Sequence, residues 1–188
     1  MIIGITGRGG SGKTTLSKKI LKIFPNYIYI NVDDLINKKV LNSTDLIDSV
    51  NKYFDDKQYS IEDIIMSYFN KNSKNNIIHS FFLQEVAKQI NKVIKNSKSD
   101  NIIIDWFLLH EIFEYIPLDV KIMTWASREE RIERVKQREN SNDILKFEKV
   151  DDAFVKVDNS NIDYVINTEN EYEELIIKIF CSKGKIKK

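Results

Sequence analysis

A glycine-rich loop near the start of the chain constrains its fold more than any other feature. Five of the six glycines fall between Gly4 and Gly12, and residues 7–14 match the pattern Gly-x-x-x-x-Gly-Lys-Ser/Thr. In such a loop, bare glycines allow backbone N–H groups to surround phosphate oxygens, and the N-terminus of the following helix adds a favourable dipole. The predicted nucleotide-binding residues of this loop are Gly7, Gly9, Gly10, Ser11, Gly12, Lys13, Thr14 and Thr15.

Two side chains of the loop have chemically distinct expected roles. We expect the Lys13 ammonium to reach the β- and γ-phosphates of a bound triphosphate and the Thr14 hydroxyl to bind Mg²⁺. The loop follows the apolar segment 2–6 and precedes leucines and isoleucines at helical spacing. A glycine-rich surface turn without a ligand is the alternative, but this strand-loop-helix context favours a phosphate-binding loop.

Length and composition limit the remaining possibilities. The 188 residues fit one domain, which we assign to residues 1–188. A net charge of +1, from 29 basic and 28 acidic residues, provides no general attraction for nucleic acid or membrane surfaces. There is a single cysteine, no charged leader segment before the first strand, and no apolar run approaching ~18 residues. We expect a cytoplasmic protein with small-molecule substrates, without nucleic-acid or membrane partners, that is a monomer or a weak homo-oligomer.

Five apolar runs have the composition of buried strands, with helical patterns between most of them. This alternation predicts a three-layer α/β/α P-loop NTPase fold with a mostly parallel five-stranded sheet. The predicted strands are 2–6, 27–32, 102–105, 120–125 and 164–167, and the clearest predicted helices are 11–24, 79–95 and 129–139. We interpret residues 35–98, which lack a strand signal, as a helical acceptor-side insertion, and residues 128–150 as a helical lid.

Carboxylates at the predicted strand ends suggest phosphoryl transfer. Ligands gather at the carboxyl ends of parallel strands, so Asp33 is predicted to orient an acceptor hydroxyl and accept its proton, with Asp34 as the second choice. The pair could instead cap the helix that begins near Leu35. Asp105, after a run of three isoleucines, is predicted to hold Mg²⁺ together with Thr14. The next residue is Trp106 rather than a water-activating Glu, which disfavours a hydrolytic motor.

Most of the arginines lie within eleven positions, at Arg128, Arg131, Arg134 and Arg138. Arginine forks suit phosphate, and a helix that carries several of them can close over a transferring phosphoryl group. Because Arg134 and Arg138 are four residues apart and share a helical face, they are our predicted catalytic lid arginines. Pairing with neighbouring glutamates is the alternative for each of them. The two histidines, His79 and His110, lack partners at metal-ligand spacing.

The ordered set of motifs resembles the dephospho-CoA kinase family over nearly the whole chain. The segments that carry this resemblance are 3–15, Asp33, 105–111, 131–138, 162–167 and 173–175. The resemblance implies transfer of the ATP γ-phosphoryl group to the ribose 3′-hydroxyl of dephospho-CoA, giving coenzyme A. It also implies that Arg134 and Arg138 are lid arginines and that Asn167 lies near the adenine of ATP. ATP and Mg²⁺ are thus the expected co-substrate and cofactor.

The chain departs from that family in the acceptor region. Phe107 stands where the family has Pro, and Ser80 follows His79 where His-Pro is usual. Three alternatives therefore remain open: a kinase of the same fold that acts on a nucleoside, a nucleoside monophosphate or a sugar-like alcohol; a nucleotide-binding switch; and a non-catalytic nucleotide-binding relative. Against the switch, the chain lacks the Asn-Lys-x-Asp motif that recognises guanine. Against the non-catalytic relative, Lys13, Thr14, Asp33 and Asp105 are all present.

Overall fold

The computed structural model describes residues 1–55, 58–67, 73–137, 147, 151, 157–170 and 172–183. Five strands form one sheet in the order β2-β3-β1-β4-β5, and all neighbouring strands are parallel. The strands are β1 Ile2–Thr6, β2 Ile28–Asn31, β3 Ile102–Asp105, β4 Val120–Trp125 and β5 Tyr164–Asn167. Four of the five predicted strands are confirmed residue for residue, and the fold class is confirmed as well.

Helices follow the strands along the chain. They are α1 Lys13–Ile23, α2 Val32–Leu35, α3 Thr44–Tyr53, α4 Ile61–Met66, α5 Ser73–Asn96, α6 Arg128–Lys136 and α7 Glu173–Lys183, with a π-helical turn at Ile36–Val40 and 3-10 turns at Leu109–Tyr115 and Asn159–Asn161. Within the described part of the insertion predicted at 35–98, every regular element is helical, and short non-helical segments join these elements. Among all the residues that the structure describes, no helix has the length and apolar character needed to cross a bilayer.

The sheet is covered on both faces, as alternation along β3 shows. Ile102 and Ile104 pack with helices of the insertion, among them α3 and α5, whereas Ile103 packs with Leu16 of α1 and Ile176 of α7. Side chains on a strand alternate between faces, and all three isoleucines are buried, so β3 contributes to two cores. This central position explains why β3 appears in the sequence as an unbroken apolar run.

The register of the sheet brings the carboxyl ends of three strands together. Asp105 at the end of β3 lies beside Asn31 on one side and Ile5 on the other. The loop that follows β1 therefore emerges next to Asp105. β2 ends at Asn31, one residue before the predicted end, because the side chain of Asn31 caps α2 and the chain turns helical at Val32.

Candidate active site

The glycine-rich loop adopts backbone conformations that few other residues can adopt. Gly10 has a φ of 72° and Gly12 a φ of 89°, values in the region where glycine is favoured. Gly12 stands immediately before α1, so the loop turns sharply into the N-terminus of that helix. This arrangement directs backbone N–H groups and the positive end of a helix dipole toward one position, as an anion site requires.

Lys13 lies across the loop. Its ammonium donates hydrogen bonds to the carbonyl oxygens of Gly7, at 2.9 Å, and Arg8, at 3.0 Å. The hydroxyl of Ser11 instead points into the protein and forms a buried hydrogen bond of 2.7 Å with the hydroxyl of Thr124. Ser11 therefore offers its backbone to a ligand, whereas Lys13 offers its charge.

A hydroxyl, a carboxylate and a phenol meet beside the loop. Thr14 Oγ1 and Tyr29 Oη each donate a hydrogen bond of 2.9 Å to Oδ2 of Asp105. Burial, followed by the charge of Asp105, raises the pKa of the Tyr29 phenol, which therefore stays protonated and continues to donate. Thr14 and Asp105 supply neighbouring oxygen ligands of the kind that Mg²⁺ prefers, and their chemistry fits the predicted metal site.

Asp33 lies in the first turn of α2. The helix is capped by the side chain of Asn31, which accepts hydrogen bonds from the backbone N–H groups of Asp33, at 2.9 Å, and Asp34, at 3.3 Å. Neither aspartate therefore serves as the cap of α2. Asp33 is partly exposed to solvent, but the surrounding protein reduces the hydration of its carboxyl group and raises its pKa. The positive charge of Lys13 acts on the same carboxyl and lowers the pKa in part.

Asp33 also lines a cavity of about 350 Å³ on the side of the helical insertion. The other lining residues are mostly apolar or aromatic: Ile36, Asn37, Leu41, Ile65, His79, Phe82, Trp106, Phe107 and Leu108. His79 contributes a ring whose Nε2 lies 3.4 Å from Glu111 Oε2. Among the described lining residues there is no lysine or arginine, and Asp33 is the acidic residue of that lining.

The arginines of α6 have different environments. Arg134 donates to the side-chain oxygen of Thr168 at 2.8 Å and to Glu130 at 2.7 Å, and it approaches the carbonyl oxygen of Gly10 at 3.4 Å. Arg131 is buried and donates to the carbonyl oxygen of Gly9 at 3.3 Å. Both arginines thus touch the phosphate loop, and Arg138 lies outside the described residues.

A second cavity adjoins the loop on the β5 side. It is lined by Gly12, Thr15, Lys19, Arg134, Thr168, Glu169, Asn170 and Tyr172. Asn167 is adjacent in sequence, but its side chain accepts a hydrogen bond of 3.0 Å from the backbone of Glu169. Asn167, the residue predicted to lie near the adenine, is therefore not itself in the lining, whereas the next residue, Thr168, is.

Two contributors to the site were missed at the level of sequence. Tyr29 appeared only as part of an apolar strand, although its position two residues before the strand end places it near the carboxyl end of β3. Arg131 was named in the arginine cluster of the predicted lid helix but was not chosen, because Arg134 and Arg138 were preferred. Its spacing of four residues from the buried Val135 was the available signal that it shares the inward face of α6.

Comparison with solved structures shows the same fold in several proteins. TT1252 from Thermus thermophilus aligns with 100% of this chain and 98% of its own, at a TM-score of 0.66 and 19% identity. Deoxyadenosine kinase from M. mycoides with bound dATP aligns with 98% of this chain and 100% of its own, at 0.54 and 18%. Shikimate kinase from Acinetobacter baumannii in complex with shikimate aligns with 99% and 95%, at 0.53 and 14%. At these identities the likeness establishes the fold.

Sequence comparison assigns a family. No curated protein matches the chain significantly. The profile of the AAA_18 family, described as an AAA domain, matches residues 3–172 and so includes the phosphate loop, the acidic strand ends, α6 and β5. With this coverage and with the parallel sheet around the loop, the chain belongs to the AAA_18 family and has a P-loop kinase-like fold.

Proposed function

We propose that this protein transfers the γ-phosphoryl group of ATP to an alcohol of a small molecule. The observation that carries this proposal is the position of Asp33, whose carboxyl is influenced by the charge of Lys13 and also lines a separate cavity. A donor on the loop and an acceptor in the cavity would meet between these two side chains. Two of the structural relatives are kinases, named for deoxyadenosine and for shikimate.

Each residue of the site has a definite part in this reaction. Asp33 orients the acceptor hydroxyl and takes its proton, which is the role of the carboxylate in kinase sites. Lys13 neutralises charge on the terminal phosphates, and the loop amides hold the donor in place. Thr14 and Asp105 would hold Mg²⁺, which supplies further charge neutralisation on the phosphates.

Dephospho-CoA is the first acceptor to test, on the strength of the motif resemblance. Its adenosine portion suits the acceptor cavity, because the rings of Phe82, Trp106 and Phe107 can contact a planar base. The described lining offers no cation for the diphosphate, which would have to extend beyond the cavity. For the same reason a nucleoside is the second candidate, since it places a base and a ribose hydroxyl in the cavity without a charged group.

An ADP-release assay with ATP and Mg²⁺ tests the reaction and the acceptor together. We expect turnover with dephospho-CoA and much less with nucleosides or nucleoside monophosphates. Turnover with a nucleoside alone would replace the first acceptor with the second. Absence of ADP release with every acceptor, despite ATP binding, would instead indicate a nucleotide-binding module.

The matched pair Asp33→Asn and Asp34→Asn tests the catalytic base. Both substitutions remove one charge from the same helical turn and preserve shape. We expect Asp33→Asn to lower kcat by roughly a hundredfold or more, within the range for general base catalysis, with ATP affinity nearly unchanged. Asp34→Asn should retain most of the activity. Full activity in Asp33→Asn would refute the assignment of the base.

A further inference from the structure

One carboxylate joins the phosphate loop to helix α6. Both guanidinium nitrogens at the end of Arg131 contact the carboxylate of Asp151, with Nη2 and Oδ2 separated by 3.0 Å. Arg8, within the loop, contacts the same residue: its Nη1 lies 3.2 Å from Oδ1 and donates to the carbonyl oxygen at 2.7 Å. A single residue therefore holds one arginine from the loop and one from the helix.

The ion pair between Arg131 and Asp151 is shielded from water. Each of the two residues is only 5% exposed, whereas the side chain of Arg8 is 39% exposed. Burial alone would raise the pKa of the Asp151 carboxyl, but the hydrogen bonds and charges of Arg131 and Arg8 lower it below its ordinary value. Asp151 therefore remains charged at neutral pH and holds both arginines.

This network extends to the backbone of the phosphate loop. Arg131 Nη1 donates to the carbonyl oxygen of Gly9 at 3.3 Å, and the carbonyl oxygen of Arg8 accepts from Lys13 at 3.0 Å. A trans peptide bond places its N–H opposite its C=O. When Arg131 fixes the carbonyl of Gly9, it therefore directs the N–H of Gly10 away from itself. The orientation of peptide groups in the loop thus depends on contacts that Asp151 organises.

We infer that Asp151 is a positioning residue for the donor phosphates. Through Arg131 and Arg8 it fixes the peptide orientations of the loop before the nucleotide arrives, and so reduces the ordering needed on binding. The inference rests on the donor half of the proposed function and is independent of the acceptor. A buried ion pair could instead serve stability alone, and the two roles predict different results.

A double-mutant cycle on the ATP dissociation constant separates these roles. The variants are Arg8→Gln, Asp151→Asn and their combination, measured by calorimetry with Mg²⁺ and without acceptor. We expect each single variant to weaken ATP binding by about five- to tenfold and the double variant to be little weaker than Asp151→Asn. Lys136→Gln, an exposed charge removal on α6, should bind ATP normally. Effects of Arg8→Gln that are equally large with and without Asp151 would overturn the inference.

A second variant allows for loss of stability in Asp151→Asn, which leaves the buried Arg131 facing a neutral amide. The combination Arg131→Met with Asp151→Leu replaces the pair by apolar side chains, an exchange that proteins often tolerate. We expect a thermal midpoint near that of the unmodified protein together with ATP binding weakened about tenfold. Normal ATP binding in this folded variant would show that the pair is only structural. Failure of the unmodified protein to bind ATP would overturn the donor site and this inference together, whereas normal binding with additive effects overturns the inference alone.

Discussion

Adjacent glycines in the phosphate loop should respond very differently to the same substitution. An added Cβ at Gly10 would lie 2.7 Å from the backbone oxygen of Arg131 and 3.1 Å from its Cα, at a φ of 72°. Among the described residues, an added Cβ at Gly9 would meet the ring of Phe147, at 2.8 Å, and Gly9 is not among the glycines with positive φ. The first obstacle is the backbone of a helix, whereas the second is the end of a side chain that can rotate.

These contacts translate into a difference in the free energy of unfolding. At Gly10, the left-handed conformation costs alanine roughly 1–2 kcal/mol. Moving the helix backbone far enough to restore ordinary contact adds the cost of overpacking, about 1–3 kcal/mol. Gly10→Ala should therefore destabilise the protein by about 2–5 kcal/mol. At Gly9 the ring can turn aside, and the lower entropy of the unfolded chain offsets part of the cost, so Gly9→Ala should cost less than about 1 kcal/mol.

Urea unfolding of the nucleotide-free protein, followed by circular dichroism, measures both variants against the unmodified chain. A difference of about 2 kcal/mol between the variants corresponds to roughly 4–8 °C in Tm for a protein of this size, so thermal unfolding provides a second check. Equal destabilisation by the two substitutions, or a larger effect at Gly9, would refute the assigned loop conformation and its contact with α6.

Three further predictions follow from the site. Tyr29→Phe removes one hydrogen bond to Asp105 and should raise the Mg²⁺ concentration for half-maximal ADP release by about fivefold, whereas an unchanged Mg²⁺ requirement would contradict the contact. Arg134→Met should raise the KM for ATP about tenfold while the exposed control Lys136→Met leaves it unchanged, which steady-state kinetics would show. Burial raises the pKa of Asp33, and the charged form of its carboxyl is the one that can act as a base. The kcat should therefore rise with pH, with a midpoint above the pKa of an ordinary aspartate, about 4. This rise of kcat at acid pH should be absent in Asp33→Asn.

The same pKa shift affects stability with a definite sign. A carboxyl whose folded pKa exceeds its unfolded value binds its proton more tightly in the folded protein, so its contribution to stability is present at low pH and lost as pH rises through the folded pKa. Asparagine does not ionise, so Asp33→Asn does not suffer the loss of stability that ionisation of this carboxyl causes. At neutral pH this variant should therefore be at least as stable as the unmodified protein. Since Asp33 is exposed to solvent, we expect a small effect on the free energy of unfolding.

The sheet and the loop could be predicted from the sequence because each has a local signature. Strands buried on both faces appear as continuous apolar runs, and such runs located β1 and β3 residue for residue. The loop was recognisable because its function requires glycines at fixed positions. β2 was predicted one residue too long at each end. At its C-terminal end the reason is that the side chain of Asn31 caps α2, which depends on where the chain turns.

The contacts that complete the site depend on residues distant in sequence. Arg131 is twenty positions from Asp151, and no periodic pattern connects the two. Its burial conflicts with the usual preference of arginine for the surface and becomes favourable only once a buried carboxylate faces it. Tyr29 and Asp105 meet because β2 pairs with β3, which depends on strand order and register rather than on either segment alone.

The charges around the loop indicate that the proposed phosphoryl transfer needs more positive charge than Lys13 supplies. Asp33 and Asp105 both place a carboxylate beside the loop, where the phosphates of ATP would add further negative charge. The two carboxylates also repel each other, since the charge of Asp105 raises the pKa of Asp33. Lys13 alone cannot balance this charge. A divalent cation bound at Asp105 would turn this carboxylate from a repulsive group into a ligand and would leave Asp33 available for its proposed role as the base. We therefore expect the affinity for ATP to fall sharply when Mg²⁺ is chelated. In Asp105→Asn, the gain in ATP affinity on adding Mg²⁺ should shrink, whereas the affinity for metal-free ATP should change less.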